Sequence, residues 1–169
     1  MSYRRLFVFC EGADDEQFFD AIVKPQLTAV YDQIRTVPYA QRGQEKIRAY
    51  LQNATQMGID VLFIRDLDRK PCITARIESV RSVLGDSLSG DSIYVVVKEI
   101  ESWYAAGLSR QRSEEMLGRP LQRTDELTKE RFNNLPPKDA SRIDFMQRLL
   151  EHFDVSQARA KNHSLEYFC

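Results

Sequence analysis

The sequence has almost no excess of charge, no paired cysteines and no long apolar run. With 24 Lys plus Arg against 25 Asp plus Glu, the net charge of -1 supplies no overall attraction to nucleic acid, so any such binding must use a local patch. Cys10, Cys72 and Cys169 are scattered without a Cys-x-x-Cys pair, and three is an odd number, which argues against a closed disulfide framework. His152 and His163 stand far from the acidic motifs, so a zinc site is not expected. The apolar run after the first basic residues is only Leu6 to Cys10, shorter than a signal-peptide core and far shorter than a membrane span. A cytoplasmic protein without a membrane segment is therefore expected. Neither a repeat nor a low-complexity tract occurs.

What is present is an ordinary globular composition, 43% apolar and 29% charged over 169 residues, enough for one domain with a real core. Leu6 to Cys10 reads as a strand buried on both faces. Asp14, with Gln17 three residues on, reads as the cap of a helix carrying Phe18, Phe19, Ile22 and Val23, interrupted near Pro25. Ile34 to Tyr39 is a short strand. Gln44 to Met57 is a helix with Ile47, Tyr50, Leu51 and Ala54 on one side, stopped by Gly58. A third strand starts at Ile59, a helix follows with Ile73, Ile77, Val80 and Leu84 at helical spacing, and Ile93 to Val97 is a fourth strand. Such alternation gives an α/β fold with a mainly parallel four-stranded sheet flanked by helices. The remaining chain is mostly helix-forming, with an amphipathic segment at Ile143, Met146, Leu149, Leu150 and Phe153.

Acids fall where these strands end. Strand one runs into Glu11, strand three into Asp66 and Asp68, and strand four into Lys98, Glu99 and Glu101. In open parallel α/β sheets the ligand site lies at the carboxyl ends of the strands. Two acids one residue apart share a direction if the backbone stays extended, and like charges held close call for a cation between them. Mg²⁺ or Mn²⁺, hard ions that take oxygen ligands, would suit such a cluster. The plain reading of Asp66 and Asp68 is a solvated turn, with Asp68 helping to cap the next helix. Glu99 and Glu101 are either surface acids or contributors to the metal site, directly or through water. Lys98 either stabilises charge on a transferring phosphoryl group or pairs with these acids. Asp14, Asp15 and Glu16 favour the helix dipole and need no chemistry. Arg42, Arg65, Arg69 and Lys70 are candidate phosphate contacts or solvated surface. Trp103, Tyr104, Phe18 and Phe19 read as packing.

FVFCEG at Glu11 and Gly12 and FIRDLD at Asp66 and Asp68 together resemble the Toprim domain shared by topoisomerases, bacterial primases and several nuclease families. EIESWYAAG at Glu99 to Gly107, and KNHSLEYF near the end, are similar to segments of small stand-alone Toprim-like bacterial proteins, of the OLD or topoisomerase-primase type, often found near phage-defence systems. The resemblance implies a Toprim-like, Rossmann-like core over residues 1–107, with a helical extension over 108–169 packed on it in a single domain. It implies that Asp66 and Asp68 bind magnesium, that Glu11 is a general acid or base or a further ligand, and that Gly12 lets the backbone turn closely past the site. The chain has no cysteine cluster for a primase zinc module and is too short for a topoisomerase.

The leading expectation is a Mg²⁺-dependent nuclease with metal at Glu11, Asp66, Asp68 and, further out, Glu99 and Glu101, and with Glu11 and Lys98 as its catalytic pair. Its partner would be DNA or RNA, and a defence-system protein or a second copy of the chain are further candidate partners. The alternative is a non-catalytic module binding nucleic acid, a nucleotide or a partner protein. A receiver-like phosphoacceptor ranks last, because strand one closes with Glu11-Gly12 rather than an aspartate pair and Lys98 follows the fourth strand rather than a fifth.

Overall fold

The computed structural model describes residues 3–85 and 87–169. They form two compact units, Met1–Val95 and Val96–Cys169. The apolar runs become the strands β1 (Arg5–Cys10), β2 (Gln33–Pro38), β3 (Asp60–Asp66) and β4 (Ile93–Val96) of one sheet, in the order β2-β1-β3-β4. β1 is parallel to both neighbours, with Phe9 level with Val37 on one side and with Phe63 on the other. Because β1 and β3 are adjacent and parallel, their carboxyl ends leave the sheet side by side.

The helices of the first unit are α1 (Ala13–Phe18), a π-helical turn at Phe19–Val23, α2 (Lys24–Leu27), α3 (Gln44–Gln56) and α4 (Ile73–Leu84). Ile47 and Leu51 of α3 and Val80 and Leu84 of α4 join Phe9, Val37, Tyr39 and Phe63 in one buried cluster. Each such side chain contributes roughly 1.5–3 kcal/mol through burial. The expected cap at Asp14 is corrected: Gly12 precedes the helix, and its N–H donates to Asp15 Oδ2 at 3.2 Å. Asp14 sits inside the first turn, and the capping pair keeps the spacing of three expected from Asp14 to Gln17 but lies two residues earlier, from Gly12 to Asp15. The interruption expected at Pro25 is the π-helical turn before it, and Pro25 itself opens α2, where its missing N–H costs nothing.

The second unit holds α5 (Glu101–Ala106), α6 (Arg110–Leu117), α7 (Lys129–Asn133), α8 (Arg142–Glu151), α9 (Val155–Lys161) and α10 (His163–Phe168). Ser109, Thr128, Ser141, Asp154 and Asn162 cap the last five, each side chain accepting a backbone N–H from the first turn. The division at Val95 lies earlier than the expected one at Gly107, because α5 packs on α7, α8 and α9. Trp103 and Tyr104 are fully buried there, as packing residues, and the Trp103 indole N–H donates to Ser164 Oγ at 2.8 Å. On α8 the buried stripe is Phe145, Met146 and Leu149, whereas Ile143, assigned to that stripe by spacing, is 69% exposed. Gly107 is required by a close approach, since a Cβ there would overlap the ring of Phe153.

Candidate functional site

Glu11 follows the last residue of β1, and Asp66 is the last residue of β3, so adjacent parallel strands deliver these two acids to the same end of the sheet. Asp68 arrives differently. Its φ of 49° is left-handed, so the backbone has left the extended path and the shared direction expected for Asp66 and Asp68 does not follow from strand geometry. Among the described non-glycine residues only Asp68 and Lys98 have positive φ. Asp tolerates this conformation better than Lys does, and such departures concentrate at functional positions.

The cation between the acids of the first unit is arginine. Arg65 Nε lies 3.9 Å from Glu11 Oε2 and its NH2 group 3.7 Å from Asp68 Oδ2. Both distances are those of ion pairs without hydrogen bonds. Arg76, 7% exposed on α4, is tightly paired through NH2 with Asp68 Oδ2 and donates to the Leu67 carbonyl at 3.0 Å. Asp68 therefore does not cap α4, whose cap residue Cys72 makes no side-chain bond either. Among the described residues, Glu11 Oε2 and Arg76 Nε are buried without a hydrogen bond. Burying an unmet polar atom costs about 1–3 kcal/mol, so a fold that retains two of them in one neighbourhood has left room for a ligand.

Beside these residues α3, α4 and the sheet line a half-open cavity of about 380 Å³. Arg42, Arg65, Arg76 and Glu11 supply its charges, and Ile47, Phe63, Val80 and Leu84 its apolar wall. Tyr39 stacks on Phe63 at 4.7 Å, and its hydroxyl donates to the Ile64 carbonyl at 2.8 Å. Burial pushes the Tyr39 phenol up, outweighing the lowering by Arg65, so it stays a neutral donor. The Cys10 thiol, also fully buried, is raised chiefly by burial and stays protonated and unreactive. Gly12 meets the family expectation in identity only. Its backbone is extended (φ -147°), and an added Cβ would merely touch Asp15 Oδ2 at 4.0 Å, so close passage past a site does not require glycine there.

Lys98, Glu99 and Glu101 belong to the second unit, where each has a partner. Lys98 Nζ pairs with Glu126 at 3.1 Å, and Glu99 accepts the Lys129 backbone N–H. Glu101 is 2% exposed and its Oε1 takes Arg142 at 2.8 Å and Lys129 at 3.4 Å. Arg69 and Lys70 are exposed. Among the described residues no group of three or more His, Cys, Asp or Glu is gathered as a metal cage. Glu11 presents an oxygen with no hydrogen bond, and Mg²⁺ and Mn²⁺, which keep most of their water, need as few as one or two carboxylates.

Sequence reasoning missed Arg76. The signal was there: Arg76 lies four residues before Val80 and eight before Leu84, an arginine on the stripe of α4 that faces the core, which must find an acidic partner.

No family model and no curated protein sequence matches the chain. Its fold is similar to the C-terminal region of the OLD protein of Xanthomonas campestris pv. campestris, at 17% identity and a TM-score of 0.43 over 95% of this chain and 84% of that one. It is also similar to the C-terminal region of the Burkholderia pseudomallei OLD protein, at 15% identity and a TM-score of 0.44 over 98% of this chain and 89% of that one. The likeness is one of chain path, and the chemistry rests on this chain's own residues.

Proposed function

We propose that the protein is a Mg²⁺- or Mn²⁺-dependent phosphodiesterase acting on nucleic acid, with Glu11 and Asp66 as the carboxylates that take the ion and Asp68 held beside them by Arg76. The observation that carries this reading is Glu11 Oε2, a buried carboxylate oxygen without a hydrogen bond, one strand away from the acid that ends β3. When bound, the ion would polarise the scissile phosphate and lower the pKa of a water molecule. Glu11, half-exposed at the strand end, accepts or returns the proton of the attacking water. Arg65, between Glu11 and Asp68, balances their charge in the resting protein and offers a planar, permanently charged partner to phosphate oxygens. Lys98, Glu99 and Glu101 have no role in this reading, since their charges are matched within the second unit.

The test is incubation with single- and double-stranded DNA and RNA in Mg²⁺, Mn²⁺ or chelator, beside Asp66→Ala protein. Metal-dependent cleavage that falls by roughly 100-fold or more in the variant is expected, since even residues that only orient metal ligands carry effects approaching that size. Equal cleavage by Asp66→Ala protein refutes the reading. The pairing of Asp68 with Arg76 and Arg65 favours a second reading, a module that binds nucleic acid, a nucleotide or a partner protein without turnover. In that case binding persists and no substrate is cleaved.

A further inference from the structure

The arginine-lined cavity of the first unit has a composition that hydrolysis alone does not call for. Three guanidinium groups, those of Arg42, Arg65 and Arg76, face one carboxylate, that of Glu11. Counting Asp68, which touches Arg65 and Arg76, positive charge still exceeds negative. Arg76 is more than nine-tenths buried, and its Nε has no acceptor. A buried cationic donor left unmet next to a cavity wants an anion, and planar guanidinium groups match phosphate oxygens best. Arg42 stands at the exposed mouth, held there by the bond from its Nε to the Pro38 carbonyl at 2.9 Å.

The other walls limit what the anion carries. Ile47, Val80, Leu84, Tyr39 and Phe63 make the inner wall apolar, and since they are 2–7% exposed a weakly polar group would lie against their edges rather than stack on a ring face. Gln44 and Ser79 add neutral hydrogen-bonding groups on the lining, fit for the edge of a base. Glu11 would repel a simple anion but accept a hydroxyl or amine of the same ligand. The cavity volume, about 380 Å³, lies at the small-ligand end of the usual range. We propose that this cavity binds a nucleotide, its phosphate against Arg42, Arg65 and Arg76 and its base on the apolar wall, either free or as the phosphorylated end of a strand. The site goes beyond the proposed hydrolysis and needs no metal, though Glu11 and Arg65 border both.

Calorimetric titration of the full chain at low ionic strength, in chelator, tests it. The ligands are the four nucleoside 5′-monophosphates and a 5′-phosphorylated dinucleotide, with adenosine, inorganic phosphate and the unphosphorylated dinucleotide as controls. Saturable binding of a monophosphate identifies a free nucleotide as the occupant, and binding of the phosphorylated dinucleotide alone identifies a strand end. In either case Arg42→Glu, at an exposed position that leaves the fold intact, is expected to weaken binding at least tenfold, and added salt to weaken it further. Arg76→Lys keeps the buried charge and is expected to weaken it by less. The proposal is overturned if no phosphorylated ligand saturates, if Arg42→Glu protein binds as the wild type does, or if inorganic phosphate or the unphosphorylated controls bind equally well. Nucleotide binding by Asp66→Ala protein that has lost cleavage separates this site from the hydrolytic one, and nucleotide binding by a wild type that never cleaves leaves this site standing while the hydrolytic reading falls.

Discussion

Glu11 of the first unit and the two glutamates that open the second are treated in opposite ways. In the second, Glu101 is buried and doubly paired, Glu99 is held by a backbone N–H, and Lys98 is neutralised by Glu126. In the first, Glu11 keeps a buried oxygen without a hydrogen bond, touched only by a long ion pair to Arg65. A Glu-x-Glu and a Glu-Gly that look equally catalytic along the chain differ in whether folding has already satisfied them. Satisfied acids hold a structure together, and unsatisfied ones are available for chemistry.

The largest expected effect breaks this contrast at its structural end. Glu101→Ala leaves Arg142 and Lys129 without their shared partner, and about 3 kcal/mol of stability should be lost, toward the low end for buried pairs because both cations reach solvent. Glu11→Gln should change stability by less than about 0.5 kcal/mol. Urea denaturation of the two variants side by side measures both, and equal losses would erase the distinction.

A smaller effect concerns packing. Gly107→Ala pushes a methyl group into the Phe153 ring and should cost about 2 kcal/mol, read as a lower urea midpoint with unchanged slope. No such penalty is expected for Gly12→Ala, whose added carbon meets ordinary contact.

The smallest effect is pH-dependent. Burial works to raise the Asp125 pKa, but the His163 N–H and the Arg123 guanidinium outweigh it and hold the carboxyl below its ordinary 3.8. A carboxyl with a lower pKa folded than unfolded contributes stability in full above pH 3.8 and loses it as pH falls through the folded value. Asp125→Asn should therefore cost about 1 kcal/mol at pH 6. Thermal melts should show that deficit shrinking as pH is lowered below 4.

Much of the frame was legible because β1, β3 and β4 each carry an apolar run of four or more residues and α3 and α4 carry helical spacing, which a two-sided parallel sheet demands. Boundaries moved by a residue or two where caps decided them, as at Gly12 and Asp15. The acids at the ends of β1 and β3 were legible for the same reason: strand adjacency turns sequence order into spatial order. Their partners were not. Arg65 sits on β3 itself, Arg76 is reached across the turn after it, and the left-handed backbone at Asp68 that brings them together leaves no mark on local composition. Glu101 could not be distinguished from Glu11 by type or position, because its fate depends on Arg142, 41 residues away.

The most direct test of the account is calorimetric titration with Mn²⁺ of the wild type, Glu11→Gln and Glu99→Gln proteins. Saturable binding by the wild type is expected, with a loss of about tenfold or more in affinity for Glu11→Gln and no change for Glu99→Gln. Binding that survives Glu11→Gln intact, or that disappears with Glu99→Gln alone, would contradict it.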